Sequence, residues 1–148
     1  MSTRYYFAAR YSRNPEMRGY RDQLEAATDA SVTSRWIDCH DDELEVSYTP
    51  EQMNAAPNAC WTHGQSDVDD MWRADVIVSF TGNGGGGKGG RHIEHGYMLA
   101  RSDMRNHPAA GPRIVVIGPR ENIFHCHPGT EVYPDFAAFL AHETRPTA

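Results

Sequence analysis

The segment Gly89-Gly90-Arg91-His92-Ile93-Glu94-His95-Gly96-Tyr97 places a carboxylate between histidines, just after cations and glycines. A helix starting here sets Glu94 in its first turn, where the helix dipole keeps a carboxylate ionised. Backbone N–H groups at such a helix start, with Lys88 or Arg91, form an anion site beside it. An ionised glutamate at a ligand edge is a nucleophile for the anomeric carbon of a sugar. The bland alternative for Glu94 is capping its own helix. His92 and His95 either tune Glu94 or are ordinary surface histidines.

This segment closes the oddest stretch of the chain. Seven of the 13 glycines fall in Gly82-Asn83-Gly84-Gly85-Gly86-Gly87-Lys88-Gly89-Gly90. The run satisfies GxGxxG, but so many glycines do so almost by chance, and no acidic residue sits about 20 positions on at a strand end. It also fits GxxxxGK, yet Gly89 stands where a triphosphate loop needs a Ser or Thr hydroxyl for Mg²⁺. A solvated loop is the remaining alternative, although so many glycines carry a large ordering cost.

Three further groups fall in order around this segment: Tyr6-Phe7-Ala8-Ala9, then Asp67 eight positions before Asp75, then Glu94-His95-Gly96-Tyr97-Met98-Leu99-Ala100. Together they resemble the nucleoside 2-deoxyribosyltransferase family, including its branch of deoxynucleoside 5′-monophosphate N-glycosidases. The resemblance runs from about Tyr5 to Leu140. It implies that Glu94 attacks C1′ to form a covalent glycosyl-enzyme, that Tyr6 orients the carboxylate, and that Asp67 protonates or hydrogen-bonds the leaving base. It also implies a pocket completed by a neighbouring subunit, hence a homodimer or larger homo-oligomer. Where nucleoside transferases of the family carry an Asp six residues before the nucleophile, this chain has Lys88. A cation there suits a 5′-phosphate, as do Gly87, Gly89, Gly90, Arg91 and the basic Arg10 and Arg13 of the first loop. The preferred substrate is therefore a nucleotide rather than a free nucleoside. Rival readings are a nucleotide phosphoribohydrolase, whose GGxGTxxE pattern lacks its Thr here, an NAD glycohydrolase, and a non-catalytic Rossmann-like nucleotide-binding domain.

These residues need a scaffold. Asp75–Phe80 is a near-continuous apolar run suited to a doubly covered parallel strand. Tyr5–Ala9, Ser31–Ile37 and Ile114–Ile117 read as further strands. Asn14-Pro15-Glu16 opens a helix, with Asn14 as cap and Met17, Tyr20, Leu24 and Ala27 as its apolar stripe. Other helices are expected near Pro50–Ala55, from Ser66-Asp67 with Val68, Met71 and Trp72 inward, over Arg91–Arg101 carrying Ile93, Tyr97, Met98 and Ala100, and over Pro134–His142. Asp69 and Asp70 read as a solvated face. The alternation predicts a single-domain α/β three-layer sandwich, Rossmann-like or flavodoxin-like, with a mostly parallel sheet of about five strands. Ligands of such sheets bind outside the carboxyl ends of the strands. The loops after Ala9, Phe80 and Ile117 lie on that edge.

Composition narrows the classes. The 148 residues are 39% hydrophobic and 23% charged, with net charge −6. That balance argues against a broad grip on a nucleic-acid backbone. No apolar run approaches the roughly 20 residues of a membrane span. Three cysteines, Cys39, Cys60 and Cys126, without CxxC spacing and without a secretory start, read as a reduced, cytoplasmic protein. Neither His125-Cys126-His127, Cys39-His40-Asp41 nor Cys60-x-x-His63 has familiar zinc spacing, and no metal or cofactor is expected. Ile123–His125 reads as strand or loop. Trp72, Tyr133 and Phe136 are core or interface aromatics.

Overall fold

Every residue of the strand Val76–Phe80 is buried, as its near-continuous apolar run requires. The computed structural model describes residues 2–39, 49–82, 89–103 and 111–145. In chain order its strands are β1 (Arg4–Ala8), β2 (Ser31–Val32), β3 (Val76–Phe80), β4 (Arg113–Ile117) and β5 (Thr130–Tyr133). They form one sheet in the order β2-β1-β3-β4-β5, with every pairing parallel. The helices are α1 (Asn14–Ala27), α2 (Pro50–Ala55), α3 (Pro57–Arg73), α4 (Gly90–Asp103) and α5 (Phe136–Glu143). This is the flavodoxin-like order, in which the chain leaves β1 outward and returns on its other side. That reversal opens a crevice at the carboxyl ends of β1 and β3.

Side chains alternate across each strand, so the sheet divides them between two cores. Tyr5, Phe7, Val76, Val78, Phe80, Val115 and Ile117 pack against Met17 and Leu24 of α1 and Phe136 and Phe139 of α5. Tyr20 stacks on Phe136 there, ring centroids 4.1 Å apart. Tyr6, Ala8, Ile77 and Ile114 face the opposite way, toward Met71 of α3, Ala74 just beyond it, and Met98 of α4. This second face carries the residues with chemistry.

Several local expectations give way to competing hydrogen bonds. The second strand stops at Val32, and Arg35–Asp38 forms a 3₁₀ turn. The Phe7 N–H donates to the Ser34 hydroxyl at 2.7 Å, and the Arg35 N–H to the Asp70 carboxylate at 2.9 Å, so no ladder continues. Asn14 does not cap α1, because its amide donates to the Cys39 carbonyl and its oxygen accepts from Arg18. Helix α3 starts at Pro57, a favoured first position, so Asp67 lies well inside a helix rather than at its start. The run 123–126 forms a 3₁₀ turn rather than a strand. Thr130–Tyr133 adds a short strand with no long apolar run to announce it. Trp72 points outward, 56% exposed, with Arg101 over its ring, whereas Phe136 is core and Tyr133 packs partly buried against it.

Asp70 is the largest departure from a solvated helix face: it is fully buried. Its carboxylate accepts from the Arg35 backbone N–H, from Arg35 Nε at 2.8 Å and from Arg73 Nη2. These bonds fasten α3 to the turn after β2. Replacing Asp70 by Ala orphans the Arg35 amide and removes charge-assisted bonds worth about 1.5–3 kcal/mol. Urea unfolding of D70A is expected to show a loss of that size.

Candidate active site

Helix α4 turns an unusual stripe toward the sheet. Arg91, Glu94, His95 and Met98 follow the 3–4 spacing of one helix face, and three of the four are polar. Met98 and His95 are buried, whereas Ile93 is 73% exposed and Ala100 is exposed. The inward face is thus set one residue away from the apolar reading of this helix. Gly89 starts the helix with φ +84°, and its carbonyl accepts the His92 and Ile93 amides. Gly90 is the first helical residue, which puts Glu94 in the second turn, beyond the strongest reach of the helix dipole.

Three groups meet on this face: Glu94 from α4, Asp67 from α3 and Tyr6 from β1. Glu94 and Asp67 each keep part of their surface accessible. Burial raises the Glu94 pKa to about 8, the charge of Asp67 adding to the effect and the Tyr6 hydroxyl opposing it. Burial likewise raises Asp67 to about 6, Asp70 adding and Arg35 opposing. Glu94 is therefore not kept ionised by its helix: the desolvation of a carboxyl outweighs the partial charge of a helix end. Asp67 ionises first, and its charge then holds the proton on Glu94, so the two titrate as a pair. Tyr6 is fully buried, and its hydroxyl makes no hydrogen bond of ordinary geometry with any described residue. Burial first, then the charges of Glu94 and Asp67, drive its pKa well up, so it remains a phenol.

Beside this trio lies a neutral wall. His95 is buried and shares a 2.9 Å hydrogen bond between its Nδ1 and the Ser79 hydroxyl of β3. Its ring meets the buried His125 edge-on, centroids 4.6 Å apart. Burial, with His125 adding, lowers the His95 pKa to about 4, leaving an uncharged imidazole near neutrality. His95 is thus a buried histidine rather than a surface one. His92 is more exposed and lies 3.1 Å from the Asn122 amide. Among the described residues no group of three or more His, Cys, Asp or Glu is placed to hold a metal ion. Cys39, Cys60 and Cys126 form no disulfide with one another.

The basic residues are placed unequally. Lys88 and Gly87 lie outside the described residues, as do most of the glycine run and His40-Asp41. Arg91 is nearly buried and paired to Glu121, a residue of the loop after β4. Arg10 is half-buried just beyond β1. Arg13 is paired to Glu16 at 2.6 Å and lies over the Phe80 ring, and its Nη1 donates to the Thr81 carbonyl at 3.5 Å, at the start of the loop after β3. Glu121 is the residue that sequence reading passes over. Its loop is on the ligand edge, but a lone carboxylate there carries no spacing signal. Two surface hollows of about 480 and 600 Å³ lie elsewhere. The first is lined by Tyr20, Asp135, Phe136 and Leu140, and the second surrounds Arg113, already saturated by Glu131 and Glu143.

No protein-family model matches the chain, and no curated protein matches it. Among solved structures it is similar to one described as the CMP N-glycosidase BcmB of Clostridium botulinum. The two are 18% identical over 95% of this chain and 97% of that one, with a TM-score of 0.49. Among the described residues no helix is long and apolar enough to cross a membrane.

A buried carboxyl with a raised pKa is a stability cost that appears only when it ionises. The Glu94 pKa moves up from 4.5, so the folded protein loses stability as pH rises from that ordinary value through about 8. Glu94→Gln removes the charge while keeping the shape. Its melting temperature is expected to exceed that of the native protein at pH 8.5 and to match it closely at pH 5.

Proposed function

We propose that this protein cleaves or transfers the N-glycosidic bond of a nucleoside or, preferentially, a (deoxy)nucleoside 5′-monophosphate, through a covalent glycosyl-enzyme on Glu94. The observation that carries this reading is the pair of carboxyls with raised pKa values on adjacent helices, facing one buried tyrosine hydroxyl. Two carboxyls with separated proton affinities are what nucleophilic displacement with acid assistance requires.

The steps balance. A Glu94 oxygen attacks C1′ as the C1′–N bond breaks, and the departing base nitrogen takes the Asp67 proton. Asp67, now a carboxylate, takes a proton from water, whose oxygen attacks C1′ and releases Glu94. A second base in place of water gives transfer. Two inversions give net retention. The Tyr6 hydroxyl lowers the Glu94 pKa, so it favours the ionised nucleophile. Catalytic hydrogen bonds are often loose until substrate fills the site, which accounts for the unpaired Tyr6 hydroxyl.

The reactive form carries one proton on the pair; that proton rests mainly on Glu94, and the step draws on the minor arrangement in which Asp67 holds it. Below about pH 6 both carboxyls are protonated and the nucleophile is lost. Above about pH 8 both are ionised and the acid is lost. The pH profile of kcat/KM is therefore expected to be bell-shaped, with its plateau between those values. Base release from a panel of nucleosides, 5′-nucleotides and NAD checks the activity. Release by the native protein that is abolished in Glu94→Ala supports the reading. Nucleotide binding with no release by either protein overturns it. Release only when an acceptor base is present makes the reaction transfer.

The two roles separate by leaving group. Asp67→Asn is expected to lose most activity on ordinary nucleotides and to regain it on 7-methylguanosine 5′-monophosphate, whose base leaves without protonation. Glu94→Gln stays inactive on both. Tyr6→Phe is expected to cost roughly 10- to 100-fold in kcat/KM, the worth of one hydrogen bond to a charged group, and to move the basic limb upward, since the Tyr6 hydroxyl lowers the Glu94 pKa. An unshifted limb removes Tyr6 from this role.

A further inference from the structure

The corner where β3, β4 and the start of α4 converge already contains an anion, supplied by the protein. Glu121 Oε1 accepts the Gly82 N–H at 3.0 Å. Its Oε2 accepts from Arg91 Nη2, and His92 Nε2 stands 3.8 Å away. Burial would raise the Glu121 pKa, but the Gly82 amide and Arg91 together hold it below the ordinary value, so it is a carboxylate near neutrality.

The placement of Glu121 is built into the backbone. Gly118 follows β4 with φ +109°, and a Cβ there would lie 2.7 Å from the Thr81 hydroxyl oxygen. Only glycine fits this turn. The Thr81 hydroxyl lies 2.7 Å from the Pro119 carbonyl oxygen and 3.1 Å from that of Ile117. The Glu121 N–H donates to His125 Nδ1 at 3.1 Å. The loop is thus fastened on both sides of Glu121 and turned back over the end of β3.

Glu121 nevertheless leaves its partner unsatisfied. The Arg91 side chain is only 10% exposed, and it gives Glu121 a single nitrogen. Its Nε and Nη1 are buried with no acceptor among the described residues. Buried donors without partners are rare and costly. A guanidinium offers five N–H groups in a rigid fork, and a phosphate monoester matches that fork better than one carboxylate oxygen does. Arg91 and Glu94 lie three residues apart on the same helix face. One helical turn is comparable to the span between C1′ and the 5′-phosphate of a nucleotide.

We propose that Glu121 is the resident anion of a phosphate-binding corner and sets the preference between 5′-nucleotide and nucleoside: a 5′-phosphate displaces the Glu121 carboxylate from Gly82 and supplies the acceptor that the buried Nε and Nη1 of Arg91 lack. The inference rests on the reading that a nucleotide lies with its anomeric carbon at Glu94. The competition lowers affinity for every phosphate by a common factor, which leaves inorganic phosphate, with no nucleoside to hold it in the site, the weakest binder.

The test is binding, which needs no turnover. Calorimetric titrations compare the native protein, Glu121→Gln, Glu121→Ala and Arg91→Gln against inorganic phosphate, the common ribo- and deoxyribonucleoside 5′-monophosphates, and the matching nucleosides. Removing the resident charge is expected to tighten 5′-monophosphate binding at least tenfold, to make inorganic phosphate binding measurable, and to leave nucleoside affinity unchanged. Arg91→Gln is expected to erase the difference between nucleotide and nucleoside. If neither Glu121 variant binds any phosphate more tightly, or nucleosides tighten equally, or Arg91→Gln keeps the preference, the proposal fails. Base release is measured separately on the same proteins. Release without the Glu121 effect overturns this proposal alone, whereas the Glu121 effect without release overturns the glycosidic reaction and leaves the phosphate corner standing.

Discussion

A helix can dock a polar stripe on a parallel sheet only if each polar group finds something to answer it. The docking of α4 meets that condition for most of its stripe, through contacts drawn from widely separated parts of the chain, and leaves Nε and Nη1 of Arg91 unanswered among the described residues. Ser79 interrupts an otherwise apolar central strand and meets the His95 ring. Tyr6 places a hydroxyl among the apolar residues of β1, next to Glu94. The loop after β4 brings Glu121 to Arg91. Remove these answers and the inward face of α4 would carry charged and polar groups into the second core without compensation.

The sign of the charges around Glu94 follows from the same packing. On one side stand Asp67 and Asp70, with Arg35 and Arg73 drawn to Asp70. On the other stands His95, held neutral by burial. A cationic imidazole next to Glu94 would pull its pKa down and discharge the proton that Asp67 keeps there. Burial and the edge-on packing of His95 against His125 make that cation expensive. The histidine wall thus preserves the separation between the two carboxyls without touching either proton.

The central strands were legible because covering both faces of a sheet demands near-continuous apolar runs, as in Val76–Phe80 and Ile114–Ile117. α1 was legible because Met17 and Leu24 fall on one stripe and are both buried. β5 was not, because four residues with half-exposed side chains leave no pattern. The phase of α4 misled because Ile93 is apolar and exposed while Glu94 and His95 turn inward. Glu94, Asp67 and Tyr6 stood out by spacing and by resemblance. Glu121 did not, since a carboxylate 30 residues from its arginine is joined to it only by the fold.

The strand order has a consequence for how the chain reaches this state. Arg4 and Asp75, 71 positions apart, are bound side chain to side chain and backbone to side chain at the opening of β1 and β3. Until β3 exists, the Tyr-Tyr-Phe-Ala strand has only the two residues of β2 to pair with. Such long-range parallel pairing folds slowly and leaves a strand edge open in the meantime. Tyr6 belongs to the first strand made, yet its neighbours Asp67 and Glu94 come from helices on either side of β3. Tyr6, Asp67 and Glu94 therefore come together only once β3 and both helices are in place, and a partly made chain holds an apolar strand before it holds this cluster.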